Sequence, residues 1–279
     1  MASPAITTAS DNAGLLYAVV KSIREFDKLE LAGILSSVVG LSPTPRESCF
    51  LATYYRTAGI VDSLLRLDNA TYFQAAAMLA RSLFELAVDI KLVDKIPNGW
   101  MKMVFFVDVE KLRCARQMIE FAKANPDRAT DVLSQIEFVA KNEMRIDQNR
   151  RTLWPPKNPN SAGLPDLRHW SELTLAKRTE LLGEPFDATY KFQYPRLSWY
   201  VHSGLTGVVN LPAEFFPTVH GYALAMAITY YSQILESVIH EMKINLAQDK
   251  IHKALKLATL LPFSKSPEQE AALCRELLG

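Results

Sequence analysis

Residues 72–93 read YFQAAAMLARSLFELAVDIKLV, and they decide the fold. The stretch has neither glycine nor proline, and its leucines and alanines recur at three and four residues, which predicts a helix. Because it is apolar around most of its circumference, it is expected to lie buried among other helices. Its polar side chains interrupt that surface in one narrow stripe. At about 100° per residue, Gln74, Arg81, Glu85 and Asp89 fall within roughly a quarter of the wheel. Arg81 and Glu85 stand at i, i+4, so guanidinium and carboxylate can pair. Either the stripe is a solvated edge, or the pair lines a polar pocket inside the bundle, where such groups tune a neighbour's proton affinity.

Outward from this helix the same pattern continues. The chain has 11 glycines in 279 residues and no runs of alternating β-branched residues, so the predicted fold class is all-α, a multi-helix bundle. Helices are expected over residues 12–39, 45–67, 70–96, 100–124, 129–153, 171–182, 190–202 and 213–246, with two shorter ones closing the chain. Thr44 before Pro45, with Glu47 at the third helical position, is a helix start signal. Asn125-Pro126-Asp127 separates two helices, and Gly183 stops another. Residues 154–166, with four prolines and a glycine after Trp154, form the longest irregular connection. Residues 1–11 read as a disordered lead and 12–279 as one helical domain.

Composition excludes several functions. Hydrophobic residues make up 49% and charged ones 22%, with 31 basic against 30 acidic side chains, so no global field draws the chain to nucleic acid or an anionic membrane. Cys49, Cys114 and Cys274 are scattered and odd in number, which suits a reducing cytoplasm. The N-terminus lacks the basic and apolar run of a secretory signal. Val219 to Val238, the most apolar window, carries His220, Ser232, Gln233 and Glu236 and is a core helix rather than a membrane span. His169, His220, His240 and His252 stand alone, without an H-E-x-x-H or E-x-x-H pair, so no metal is expected. No G-x-G-x-x-G or Walker pattern is present, and no cofactor is expected. Lys141, Arg145, Arg150, Arg151 and Lys157 form a basic cluster beside Trp154, diluted by Glu143 and Asp147, as on a solvated face.

The second polar constellation lies in Trp170 to Gly204. If residues 190–202 are helical, Tyr190, Tyr194, Ser198 and His202 follow at i, i+4 and share a face. A histidine titrates near neutrality, and beside Ser198 or a phenol it can act as general acid or base. The same histidine also suits a helix end, where a cation favours the dipole. Ser198 lacks the strand and G-x-S-x-G elbow of a hydrolase nucleophile. The expected site is a polar pocket where Arg81, Glu85, Tyr190, Tyr194, Ser198 and His202 converge.

The order of these features, RSLFE, then HWSELTLAKRTELLG, then Y-x3-Y-x3-S-x3-H, resembles an uncharacterised bacterial family known only as a domain of unknown function. The resemblance covers about Tyr54 to Tyr231 and falls on Arg81, Glu85, Trp170, Ser171, Gly183, Tyr190, Tyr194, Leu197, Ser198 and His202. It implies no activity. A more distant resemblance is to the HEPN superfamily, all-α proteins whose nuclease members carry an arginine and a histidine four to six residues apart; Arg196 and His202 fit. The resemblance implies a metal-independent RNA endonuclease acting in defence, with the catalytic pair Arg196 and His202 gathered at a homodimer interface. The histidine serves as acid or base at a ribose 2′-hydroxyl, and the arginine steadies phosphate charge. Leu197 follows the arginine where active members usually carry a polar residue, and Pro195 precedes it. The other functional classes open at this point are a module binding a small polar molecule or nucleotide and an interaction protein without catalysis.

Overall fold

The computed structural model describes residues 13–38, 43–128, 132–155, 163, 164, 166–201, 212–244, 266, 268, 269 and 272. Regular structure among the described residues is helical throughout. The helices are α1 (Ala13–Phe26), α2 (Ala32–Val38), α3 (Pro45–Leu64), α4 (Phe73–Leu92), α5 (Gly99–Ala124), α6 (Leu133–Leu153), α7 (Leu175–Leu182), α8 (Phe186–Ala188), α9 (Tyr194–Val201) and α10 (Phe216–Glu241). Two π turns, Asp27–Leu31 and Thr189–Gln193, join α1 to α2 and α8 to α9 without a break in the helical path. The chain divides into two compact units, one made of residues 1–91 and 175–279, the other of residues 92–174.

In the first unit α10 is the central element and packs on α1 and α3. Val219, Ala223, Leu224, Ile228, Ile234, Leu235 and Val238 are buried along it, and each large aliphatic side chain so covered contributes about 1.5–3 kcal/mol. An aromatic cluster ties α4 and the α8–α9 segment to this helix. Phe84 meets the Tyr230 ring edge-on at 4.9 Å, with Phe186 beside both. Arg46 of α3 forms a two-pronged bond to Glu241, at 2.5 and 2.7 Å, near the end of α10. At the predicted start of α3 a capping box forms: Glu47 N–H donates to Thr44 Oγ1 at 3.2 Å, and Thr44 N–H donates to the Glu47 carboxylate at 2.7 Å. Hydrogen bonding from Thr44, its backbone N–H first, holds the Glu47 carboxyl below its ordinary pKa.

The second unit is an antiparallel hairpin of α5 and α6 followed by the stretch up to Thr174. Asn98, which precedes α5, lies in the left-handed region at φ 55°. Gly99 then passes so close to the Val93 carbonyl that a Cβ there would sit 2.1 Å from the oxygen. Trp154 is fully buried, and its indole N–H donates to the Trp170 carbonyl at 2.8 Å.

Several predicted boundaries move: α4 ends at Leu92 rather than residue 96, the helical segment expected from Tyr190 begins at Phe186, and α10 ends at Glu241 rather than residue 246. The helix expected from Ser171 begins at Leu175, because Ser171 is occupied by a turn. Its hydroxyl accepts from Leu173 N–H, its own N–H donates to His169 Nδ1, and Glu172 takes φ 61°. Such local side-chain bonds compete with helix formation. At the other end Gly183 stops α7 with φ 75°, as predicted.

Candidate functional site

The polar stripe of α4 meets partners from distant sequence within the first unit. Arg81 Nη2 donates to the Tyr194 hydroxyl at 2.6 Å, and that hydroxyl donates to Glu85 Oε1 at 2.6 Å. The guanidinium also lies 4.5 Å from the Tyr194 ring centroid, a favourable cation–π placement. Arg81 and Glu85 themselves approach only to 3.9 Å, so the phenol links the pair that spacing predicted. Arg81 is mostly covered, with 16% of its side chain exposed, whereas Glu85 is 42% exposed. The stripe is therefore neither a solvated edge nor sealed in the core. Four residues on, Asp89 takes the buried Arg178 of α7 as its ionic partner. Sequence reading did not single out Arg178; a lone arginine on an eight-residue helix has no local signal of burial.

Burial pushes the Tyr194 phenol above its ordinary pKa; the bond from Arg81 opposes this, and the bond to Glu85 adds to it. The phenol is thus protonated at neutral pH and serves as a donor. Tyr190 leans on Tyr194, with ring centroids 5.5 Å apart. Ser198 Oγ donates to the Tyr194 carbonyl at 2.8 Å, which commits its proton to the helix backbone. Thr189, in the π turn, accepts from the buried Tyr230 hydroxyl at 2.6 Å.

Of the predicted site residues, Arg81, Glu85, Tyr190 and Tyr194 come together, with Ser198 one turn further on. Arg196 does not join them. It is exposed, and at about 100° per residue it lies some 160° from Tyr194 around α9. His202 lies outside the described residues. Phe192 and Trp199, each 70% exposed, share the outward face with Arg196.

A second polar centre in the first unit escaped the sequence reading. Asp27, wholly buried, opens the first π turn and accepts from Arg24, from Tyr54 at 2.6 Å and from Tyr231 at 2.5 Å. Arg24 also forks onto Asp62 at 3.0 and 2.9 Å, which holds the Asp62 carboxyl at a pKa of about 2. Burial, reinforced by Asp27, raises both phenols well above their ordinary range. All of the donors are matched, so the centre is a polar lock between α1, α3 and α10.

The second unit holds a shallow cleft of about 200 Å³, lined by Val109, Leu112, Leu167, Asp166, Arg113, Arg116 and Arg150. Arg113, Arg116 and Arg150 are paired there with Glu110, Glu143 and Asp147, and Arg145 of the predicted basic cluster is paired with Asp108. Among the described residues no group of three or more His, Cys, Asp or Glu is arranged to hold a metal. No helix among them is long and apolar enough to cross a membrane.

The chain belongs to a family of unknown function, DUF5677, whose model matches residues 47–211. No curated protein and no solved structure matches the chain. The matched span includes the α4 stripe and the whole of α8 to α9, but a family of unknown function brings no activity with it, and HEPN is not among the matches.

Proposed function

We propose that this chain is a metal-independent RNA endonuclease of the cytoplasm, acting in bacterial defence, with His202 and Arg196 as its working pair. His202 takes the proton from a ribose 2′-hydroxyl. The 2′-oxygen bonds to the adjacent phosphorus, the bond to the 5′-oxygen breaks, and the leaving oxygen takes a proton from water, the hydroxide so formed taking up the proton that His202 holds. Arg196 carries the charge that builds on the phosphoryl oxygens. Six residues put the two side chains about 120° apart on a straight helix, so closing on one phosphate takes a kink in the segment or a second copy of the chain. The observation that carries the reading is the anchoring of α9: Tyr194, held between Arg81 and Glu85, fixes the rotation of the helix and turns Arg196 to solvent. Among the described residues Arg196 has no ion-pair partner.

The test is incubation of purified protein with single-stranded RNA in the presence of a chelator. Cleavage leaving 2′,3′-cyclic phosphate ends is expected, with DNA intact. His202→Ala and Arg196→Ala each abolish it while changing stability by less than about 1 kcal/mol. No cleavage by the wild type ends this reading.

A second reading, a small polar ligand or nucleotide held at the α4 stripe, is favoured by Glu85. Its side chain is two-fifths exposed, and its bond to Tyr194 uses Oε1. In that case nucleotides raise the melting temperature of the wild type and leave that of Glu85→Gln unchanged.

A further inference from the structure

The segment from α8 to α9 has a reversed amphipathic pattern. Its inward side holds Tyr190, Tyr194, Leu197 and Ser198, with Leu197 buried. Its outward side is aromatic: Phe192 and Trp199 are each 70% exposed, and with Arg196 they stand at i, i+4, i+7, within about 60° of one another. Exposing two large rings on one short segment forgoes the burial that such side chains ordinarily supply. Arg196, between them, has no acidic partner among the described residues, whereas Lys191 on the flank is tied to Asp187 at 2.7 Å.

The area argues against a protein occupant. Even fully covered, at about 150–250 Å² per ring, the stripe falls short of the roughly 800 Å² per partner of a stable interface. It suits single bases. Phe192 and Trp199 are separated by roughly 10 Å along the axis, well beyond the step of about 3.4 Å between stacked bases, so they take bases splayed apart with a phosphate between. A duplex, whose base faces are already stacked, cannot use such a surface.

We infer that the outward face of Phe192, Arg196 and Trp199 is a stacking platform for unpaired RNA, each ring taking one base and Arg196 the phosphate that joins them. The choice of RNA rests on the proposed nuclease reading; the stacking chemistry itself does not need the 2′-hydroxyl. The platform has no sequence preference, since every base presents a π face.

The test is fluorescence anisotropy, in chelator, of fluorescein-labelled decauridylate, decadeoxythymidylate and an RNA duplex of mixed sequence. Both single strands bind and the duplex does not. Phe192→Ala and Trp199→Ala each weaken single-strand binding about tenfold, Trp199→Phe retains it within about threefold, and Arg196→Gln flattens its salt dependence. All three side chains are exposed, so circular dichroism spectra stay unchanged. Alanine variants that bind within twofold of wild type, or a duplex bound as tightly as a single strand, overturn the inference. So does a dimer in sedimentation that Trp199→Ala dissociates, which makes the stripe a contact between copies. Deoxythymidylate binding without any RNA cleavage sustains the platform and removes the nuclease; cleavage undiminished in Trp199→Ala does the reverse.

Discussion

Asp27 shows what one carboxylate can hold in place. It accepts hydrogen bonds from Arg24, Tyr54 and Tyr231 and has no exposed surface. Its removal strands two phenols and leaves Arg24 with Asp62 alone. Asp27→Ala is expected to cost about 3–5 kcal/mol in urea denaturation, as when one partner of a buried charge pair is deleted. Tyr194 is less enclosed. Tyr194→Phe keeps the ring under Arg81 and loses only the two bonds of the hydroxyl, so a loss of about 1–2 kcal/mol is expected by the same measurement. The two centres differ in how far they were legible in sequence. Arg81 and Glu85 announce themselves because helical spacing is local, and Tyr190, Tyr194 and Ser198 for the same reason. That Tyr194 would come to the α4 stripe, or Tyr54 and Tyr231 to Asp27, depends on tertiary packing across 27 to 204 residues, and no spacing rule reaches that far.

At the scale of elements, the capping box at Thr44 is a local device whose place the sequence marks as a helix start. Thr44→Ala removes the acceptor for Glu47 N–H, and about 1 kcal/mol of stability should go with it, read as a lowered melting temperature. The π turns at Asp27–Leu31 and Thr189–Gln193 are different. Each adds a residue to one turn and shifts the face that follows, and insertions of this kind gather at functional sites. Sequence reads straight through the first and begins its helix at Tyr190, inside the second, since their residues are ordinary helix formers and the helical path does not stop. Here the turns place Asp27 in the lock and seat Thr189 under Tyr230. The late start of α7 is a miss of another sort: the hydrophobic spacing after Ser171 is helical, but hydroxyl and imidazole bonds at Ser171 and His169 satisfy the backbone locally instead.

For the whole molecule, His220 and Asp62 both contribute to the pH dependence of stability. Burial lowers the His220 pKa despite its bond to the Leu67 carbonyl. The unfolded chain therefore takes up that proton more readily, and stability falls as pH drops from about 6.5. His220→Gln should flatten this part of the curve in pH-resolved melting. Asp62 acts lower: its bond with Arg24 takes its pKa from 3.8 to about 2, so its contribution is complete above pH 3.8 and is lost as pH falls towards 2. The two-unit division carries a further consequence, for the nascent chain. The first unit begins with α1 to α4 and closes only when α10 arrives, with Tyr231 bonding across 204 residues to Asp27. During synthesis the Asp27 carboxylate and the apolar side of α4 must wait, unclosed, until residues 92–174 have left the ribosome, and contacts of such separation form slowly. Ribosome-bound chains ending at residue 215 should be cut readily by protease within α1 to α4, and chains in which a linker after residue 244 carries α10 clear of the ribosome should resist. The interval between those two lengths is when a chaperone would be needed most.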